Sequence, residues 1–193
     1  MRRMASIRRL PGKGALTCSP MESVCERQNL NRAYRRVKAS RGASGIDGII
    51  SSALGAGSAT DDPLVLVTGD IAYYHDMNGL LALDRCGVDA TIVEINNDGG
   101  GIFHMLPIES FDPPFSEQFR TPHGLDYAAT GDLYVLDFQR VKTRSAFRDA
   151  FSDSLDSSGA QVIELRTDSE PSHRIREAFQ GRLVADLSSD RGH

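Results

Sequence analysis

Four short apolar runs, each bounded by small or polar residues, punctuate the chain. Leu64-Val65-Leu66-Val67 leads into Thr68-Gly69-Asp70, and Thr91-Ile92-Val93-Glu94-Ile95 leads into Asn96-Asn97. Leu133 to Phe138 and Gln161 to Leu165 are the third and fourth. Nearly continuous runs of this length, rich in β-branched residues, predict strands of a sheet covered on both faces. Between them apolar residues recur at helical spacing. Met77, Leu80, Leu81 and Leu83 predict a helix over 76–85, and Phe147, Ala150 and Phe151 mark the inner face of one over 143–155. Further helices are predicted over 46–56, from small residues suited to close packing, and over 171–183. Upstream, Val24, Leu30, Tyr34 and Val37 sit near helical spacing over 21–38, whereas residues 1–20, with Pro11, Gly12, Gly14 and Pro20, are expected to be disordered. Alternating strand and helix signals predict an α/β fold, a mostly parallel sheet flanked by helices. Residues 104–124, with Pro107, Pro113, Pro114 and Pro122, form a long irregular segment of a kind that usually carries function. There is no internal repeat.

Composition narrows the class. A length of 193 residues fits one domain with a small appendage, and 40% hydrophobic residues suffice for a core. No apolar run approaches the length of a membrane span. Charge is uneven: residues 1–41 carry 11 Lys/Arg against 2 Asp/Glu, residues 42–193 carry 11 against 24. That asymmetry predicts an amino-terminal segment with a different partner or origin. Arg outnumbers Lys and Asp outnumbers Glu, which a GC-rich genome or a salt-adapted surface would each explain. Cys18, Cys25 and Cys86 are odd in number and lack metal-ligand spacing, so free thiols in a reducing cytosol are expected. No secretory signal is predicted, because the basic start has no apolar stretch behind it.

The chemistry sits where the strands end. A carboxylate, Asp70, closes one strand, and a carboxamide pair, Asn96-Asn97, closes another, followed by Asp98-Gly99-Gly100-Gly101. Oxygen ligands at the carboxyl ends of two parallel strands are what a hard cation carrying a diphosphate needs, so the pattern points to a Mg²⁺-diphosphate site. Blander readings stand beside it. A lone Asp after a strand commonly caps a helix, and a glycine run is commonly a turn. Ile46, Ile102 and Phe103 fit a core equally well by periodicity. His75, His104, His123 and His173 lack zinc-ligand spacing, and ordinary structural roles are expected for them. No Ser/His/Asp arrangement stands out.

With those residues in view, the chain resembles the diphosphate-binding domain of thiamine-diphosphate enzymes, marked by Gly-Asp-x and, some 25 to 30 residues later, Asn-Asn; here these are Gly69-Asp70-Ile71 and Asn96-Asn97. Further words narrow the resemblance: Ser40-Arg41-Gly42-Ala43-Ser44-Gly45-Ile46-Asp47-Gly48, Asp76-Met77-Asn78-Gly79-Leu80, Asn97-Asp98-Gly99-Gly100-Gly101-Ile102-Phe103 and Thr121-Pro122-His123-Gly124-Leu125-Asp126. Together they resemble the 2-succinyl-5-enolpyruvyl-6-hydroxy-3-cyclohexene-1-carboxylate synthase family of menaquinone synthesis, from about residue 40 to about 180. That family also departs from Gly-Asp-Gly at the position of Ile71. The resemblance implies a thiamine-diphosphate-binding fold over 40–183, after a basic extension over 1–39 and before a frayed tail over 184–193. It implies thiamine diphosphate and Mg²⁺ as cofactors, with Gly69, Asp70, Asn97 and Ile46 at the cofactor and Asp70, Asn97 and the Gly99 carbonyl on the metal. Ile46 would hold the cofactor bent, Arg41 would pair with a substrate carboxylate, and Ile102, Phe103 and Leu106 would wall the reacting carbon. The implied reaction decarboxylates 2-oxoglutarate and adds the carbanion to isochorismate.

Family members also carry an amino-terminal domain whose glutamate contacts the aminopyrimidine, and their sites form between subunits. These 193 residues hold no match to it, so the resemblance implies an enzyme fragment, inactive alone, that pairs as a homo-oligomer or with a separate pyrimidine-binding domain in the cytoplasm. Residues 21–38 resemble instead the start of group II intron reverse transcriptase/maturase proteins, which continue into a word that Arg41 to Gly48 could serve equally. A junction inside that shared word, a chimera by recombination or misassembly, is the inference. Two alternatives remain beside the enzyme fragment: a non-catalytic cofactor-binding module, and a nucleic-acid binder led by the basic start, attracted through counterion release.

Overall fold

The computed structural model describes residues 14–17, 36–39, 45–59 and 63–189, with 14–17, 36–39 and 188–189 described by backbone alone. The chain divides into two compact units, Met1–Ile95 with Asp126–Leu165, and Asn96–Leu125 with Arg166–His193.

The first unit is built on a sheet of order β2-β1-β3-β4-β6-β5. Its strands are β1 (Gly14–Thr17), β2 (Arg36–Ala39), β3 (Leu64–Gly69), β4 (Ala90–Asn96), β5 (Asp137–Val141) and β6 (Ala160–Arg166). β3 and β4 run parallel in the register Leu64↔Ala90 to Gly69↔Ile95, and β5 and β6 run parallel with Arg140 opposite Glu164. The helices are α1 (Ile49–Gly57), α2 (Asp70–Asp76), α3 (Ala82–Cys86), α4 (Ala129–Tyr134) and α5 (Arg144–Asp156). The α/β architecture read from the apolar runs is therefore present. The main core joins Ile49, Ile50 and Leu54 of α1 to Leu64 and Leu66 of β3, Ile92 of β4, Tyr73, Leu80 and Val162. Val141, Ala150 and Ile163 form a smaller cluster with Phe147 and Phe151, the face predicted for α5.

Several elements differ from expectation, each for a physical reason. Gly14–Thr17 and Arg36–Ala39 are strands rather than disordered chain and helix end, because β1 pairs in parallel with both β2 and β3 and the ladder supersedes local spacing. The rest of 1–39 lies outside the described residues. The helix predicted over 76–85 begins earlier, at Asp70, tightens to a 3₁₀ turn over Met77–Leu81 and resumes as α3. Asp76 causes the break: its carboxylate accepts the Ser51 amide at 2.7 Å and hydroxyl at 3.0 Å, in the first turn of α1. Gly79 lies so near that a Cβ there would meet Ser51 Oγ at 2.5 Å. The Asp76-Met77-Asn78-Gly79-Leu80 word is thus a packing motif between α1 and the turn after α2. The strand predicted over 133–138 starts only at Asp137. α4 runs to Tyr134 and closes with Val135 at φ 55° and the Leu136 amide on the Gly131 carbonyl, a Schellman cap.

The second unit carries one long helix, α6 (Ser169–Ser189), and three single turns, Gly101–Met105, Pro107–Ser110 and Ser116–Arg120. α6 continues through the tail expected to fray from residue 184, since Leu183, Val184, Ala185 and Leu187 all tolerate the helix.

Candidate functional site

In the first unit, adjacency of β3 and β4 sets the carboxyl ends of two parallel strands side by side, with Gly69 in register with Ile95. Asp70 follows the first end. It is 3% exposed, and its Oδ1 accepts the amide of the adjoining residue, Ile71, at 2.9 Å. Tyr127 donates its phenol to the Asp70 carbonyl at 3.3 Å and meets the Tyr73 ring edge-on. Tyr73 in turn shares a 2.8 Å hydrogen bond with Thr130, and burial pushes its phenol well above its ordinary pKa, so it stays neutral. The backbone under Asp70 is thereby held by buried neutral groups. Two glutamates sit fully buried in mid-sheet, Glu94 on β4 and Glu164 on β6. Arg140 forms an ion pair with Glu164 and another with Asp126 at 2.6 Å, and those hydrogen bonds raise the guanidinium pKa further.

In the second unit, two of the sequence words turn out to be one structure. Asn96 Oδ1 accepts the Asp98 amide at 3.0 Å, which bends the chain so that Asp98 takes φ 59°. The Asp98 carboxylate then accepts the amides of His123 at 3.1 Å and Gly124 at 2.7 Å. The glycine run lies against the preceding residues of that same loop, with the Gly100 amide on the Arg120 carbonyl at 2.7 Å. Gly99 has φ 129°, and a Cβ there would collide with the Arg120 carbonyl oxygen; one at Gly101 would collide with the Asn97 carboxamide and meet Ser169 Cβ at 2.8 Å. This glycine run is a close-approach turn that side chains would prevent. Asn97 Oδ1 is buried inside it without a hydrogen-bond partner among the described residues. An orphaned amide oxygen is costly unless something absent from the protein chain satisfies it.

The turn Gly101–Met105 is fastened to α6 by a hydrogen-bonded chain that spacing did not reveal. Buried His104 engages Glu109 through Nδ1 at 2.9 Å and Ser169 through Nε2 at 3.2 Å, and stacks on His173. Arg174 reaches Glu109 at 3.1 Å. The His104 hydrogen bond, then the charge on Arg174, hold the Glu109 carboxyl below its usual range. The Ser-His-Glu order resembles a nucleophile relay, but Ser169 is 4% exposed, with no access for a substrate. Its work here is to anchor.

The residues singled out in the sequence divide as follows. Asp70 and Gly69 stand at the β3 end, and Asn97 and Gly99 in the turn after β4. The Gly99 carbonyl accepts the Gly101 amide at 2.8 Å. Ile46, Ile102, Phe103 and Leu106 are each close to 40% exposed, so none of them is core within this chain. Phe103 meets Phe119 edge-on. His123 Nδ1 accepts the Leu125 amide at 2.9 Å, a structural role. Arg41 and most of the maturase-like stretch lie outside the described residues. Among the described residues no group of three or more His, Cys, Asp or Glu side chains is placed to hold a metal, and no helix is long and apolar enough to cross a membrane. Sequence reasoning missed Asn96 Oδ1 and Asp98 as organisers of the turn and His104, Glu109 and Ser169 as its anchor. The adjacency of Asp98 to Asn97 was the available signal for the first pair.

Comparison with known proteins finds relatives in sequence and in fold. The thiamine pyrophosphate enzyme C-terminal TPP-binding domain matches residues 18–165. The 2-succinyl-5-enolpyruvyl-6-hydroxy-3-cyclohexene-1-carboxylate synthase of Halobacterium salinarum is 64% identical over 148 residues, 77% of this chain and 25% of that protein. The proteins of the same name from Haloarcula marismortui and Roseiflexus castenholzii are 62% and 61% identical, over 80% and 67% of this chain and 26% and 23% of their own lengths. The chain thus spans about a quarter of the length of these curated relatives. In fold it is similar to benzoylformate decarboxylase from Polynucleobacter necessarius, at TM-score 0.67 and 19% identity over 83% of this chain and 30% of that one. It is also similar to a thiamine diphosphate-dependent 4-hydroxybenzoylformate decarboxylase of Rhodococcus jostii RHA1, at TM-score 0.54 and 22% identity, over 61% and 22%.

Proposed function

The chain belongs to the thiamine pyrophosphate enzyme family through its C-terminal TPP-binding domain, and from that premise we propose that it forms the diphosphate side of a menaquinone-pathway synthase site. Asp70 Oδ, Asn97 Oδ1 and the Gly99 carbonyl would hold Mg²⁺, a hard cation that favours oxygen ligands and would neutralise a diphosphate. The observation that carries the reading is the buried, unpartnered Asn97 Oδ1 beside a glycine turn too close for side chains. Thiamine diphosphate, when bound, supplies the electron sink for decarboxylation. The chain's own residues would do the rest. Ile46 would press the cofactor into its bent form, and Arg41 would fork onto a substrate carboxylate. Ile102, Phe103 and Leu106 would keep water from the reacting carbon and make its surroundings apolar.

The substrates follow the relatives' name: 2-oxoglutarate would lose CO₂, and the remaining four-carbon unit would add to isochorismate. Turnover would require the pyrimidine-side glutamate, which these 193 residues do not match. A homo-oligomeric or separately supplied pyrimidine-binding partner would complete the site in the cytoplasm.

Calorimetry tests the proposal, titrating thiamine diphosphate into the chain with Mg²⁺ or with EDTA, alone and beside the amino-terminal part of the Halobacterium salinarum relative. Mg²⁺-dependent binding is expected, weakened at least about tenfold by Asp70→Ala or Asn97→Ala, since each removes a ligand. Binding indifferent to both substitutions, or none even with the partner present, overturns the site. Product formation by the mixed halves tests the reaction separately.

A further inference from the structure

The space that Gly101 leaves open is shared by two side chains. A Cβ on Gly101 would meet the Asn97 carboxamide nitrogen and, at 2.8 Å, Ser169 Cβ, so the Asn97 carboxamide and Ser169 converge on one spot. Asn97 Oδ1 has no hydrogen-bond partner among the described residues, and its direction is left to what the carboxamide packs against. Ser169, in contrast, is held twice. Two residues before it, the Thr167 amide donates to the Asn96 carbonyl at 2.7 Å, which ties the approach to α6 to the backbone beside Asn97. Its own hydroxyl lies 3.2 Å from His104 Nε2.

The His104 ring is held for that contact. It stacks on His173 with centroids 5.7 Å apart, packs against Phe115 at 4.9 Å and engages Glu109 through Nδ1 at 2.9 Å. A carboxylate only accepts, so Nδ1 carries the proton, and Nε2 of a neutral ring is left to accept the Ser169 hydroxyl. Glu109 thereby fixes the tautomer, and the tautomer fixes the Ser169 hydroxyl next to Asn97.

We propose that His104 is a positioning residue for Asn97: through Ser169 it sets the direction of the carboxamide oxygen that the proposed Mg²⁺ site uses. The consequence for the metal rests on that reading, whereas the aim of the carboxamide belongs to the chain alone. His104 itself touches neither metal nor cofactor. Groups that orient a ligand without meeting the metal commonly change its affinity by about tenfold or more.

Nitrogen-15 NMR of the full chain tests this. The Asn97 side-chain amide signals, identified by their loss in Asn97→Asp, report the carboxamide with no metal present. Two substitutions separate the hydrogen bonds of His104. His104→Gln sets an amide oxygen near the place of Nε2 and keeps the Ser169 hydroxyl engaged, whereas His104→Asn reaches only as far as Nδ1 and keeps Glu109. Ser169→Ala and His104→Asn are expected to shift the Asn97 signals. Both should also raise the Mg²⁺ concentration that half-saturates the response of those signals, with thiamine diphosphate present, by about three- to tenfold. His104→Gln should match the parent chain in both measurements. A role confined to anchoring the turn through Glu109 predicts the reverse order for the two His104 variants. Asn97 signals that stay in place in Ser169→Ala, that move in His104→Gln but not in His104→Asn, or that move equally in both overturn the proposal. A parent chain without a Mg²⁺ response, whose Asn97 signals still move in Ser169→Ala and His104→Asn alone, would remove the metal site and leave the positioning role standing.

Discussion

Replacing Gly99 with alanine isolates what the glycine turn contributes, because the molecule provides its own control. Gly87 closes α3 at φ 57°, and a Cβ there would meet no atom within 4 Å. Gly87→Ala therefore carries only the left-handed penalty, about 1–2 kcal/mol. Gly99 stands at φ 129°, a region closed to alanine, which adds about 1–3 kcal/mol. Its Cβ would also overlap the Arg120 carbonyl oxygen and lie 3.0 Å from that of Thr121, both backbone atoms that cannot rotate away. Overpacking of that kind costs about 1–3 kcal/mol more. The Gly99→Ala loss should then be two to three times that of Gly87→Ala in urea unfolding. Hydrogen exchange localises it: faster exchange is expected at the Gly100, His123 and Gly124 amides, whose acceptors Arg120 and Asp98 flank or face the turn. Strand β3 amides should be unaffected. Equal penalties for the two alanines, or exchange spread evenly along the chain, would refute the close-approach account.

Three further outcomes follow from the same contacts. Val135 is a β-branched residue at φ 55° and 93% exposed, so Val135→Gly should stabilise by about 1 kcal/mol and raise the melting temperature by roughly 2–4 °C; an unchanged or lower value would contradict strain at that cap. Arg140→Met deprives fully buried Glu164 of its cationic partner and should cost about 3 kcal/mol, most of it recovered when Glu164→Met is added; a double variant no better than the single would mean the burial matters less than the pair. Glu109 is held below its ordinary pKa of 4.5 by the His104 hydrogen bond first and by Arg174 after it. A depressed carboxylate contributes stability above that ordinary value and loses it as pH falls through the lower folded one. Urea midpoints measured downward from pH 5 should fall less steeply in Glu109→Gln than in the parent, and identical slopes would remove Glu109 from the acid response.

The sheet was legible because β3, β4 and β6 each carry a short apolar run, Leu64–Val67, Ile92–Val93 and Val162–Ile163, that the core buries. What local spacing missed were elements decided by partners distant in sequence. β1 and β2 have weak strand signals, yet the backbone of β3 completes their ladder. The single helix read over 76–85 failed because Ser51, 25 residues upstream, claims the Asp76 carboxylate. The shift from strand to helix at 133 turned on Val135 adopting a conformation that its side chain resists, which no propensity would suggest.

The candidate site divides along the same line. Asp70 and Asn97 could be singled out because each stands directly after an apolar strand, and that order survives in the string of letters. The support beneath them does not. Asp98 bridges 25 positions to His123, and His104 bridges 65 to Ser169, each through atoms that many residue types could offer. Two words that resembled independent signatures, Asn97 to Phe103 and Thr121 to Asp126, are joined physically by one carboxylate and one glycine contact. A change in either word should therefore be felt in the other. Gly124→Pro, which removes the amide that Asp98 accepts at 2.7 Å and cannot hold the φ of 62° found there, should disturb the Gly99–Gly101 turn although no side chain of that turn is altered. Amide exchange at Gly100 reads this directly, and a rate equal to that of the parent would show the two words to be neighbours without being coupled.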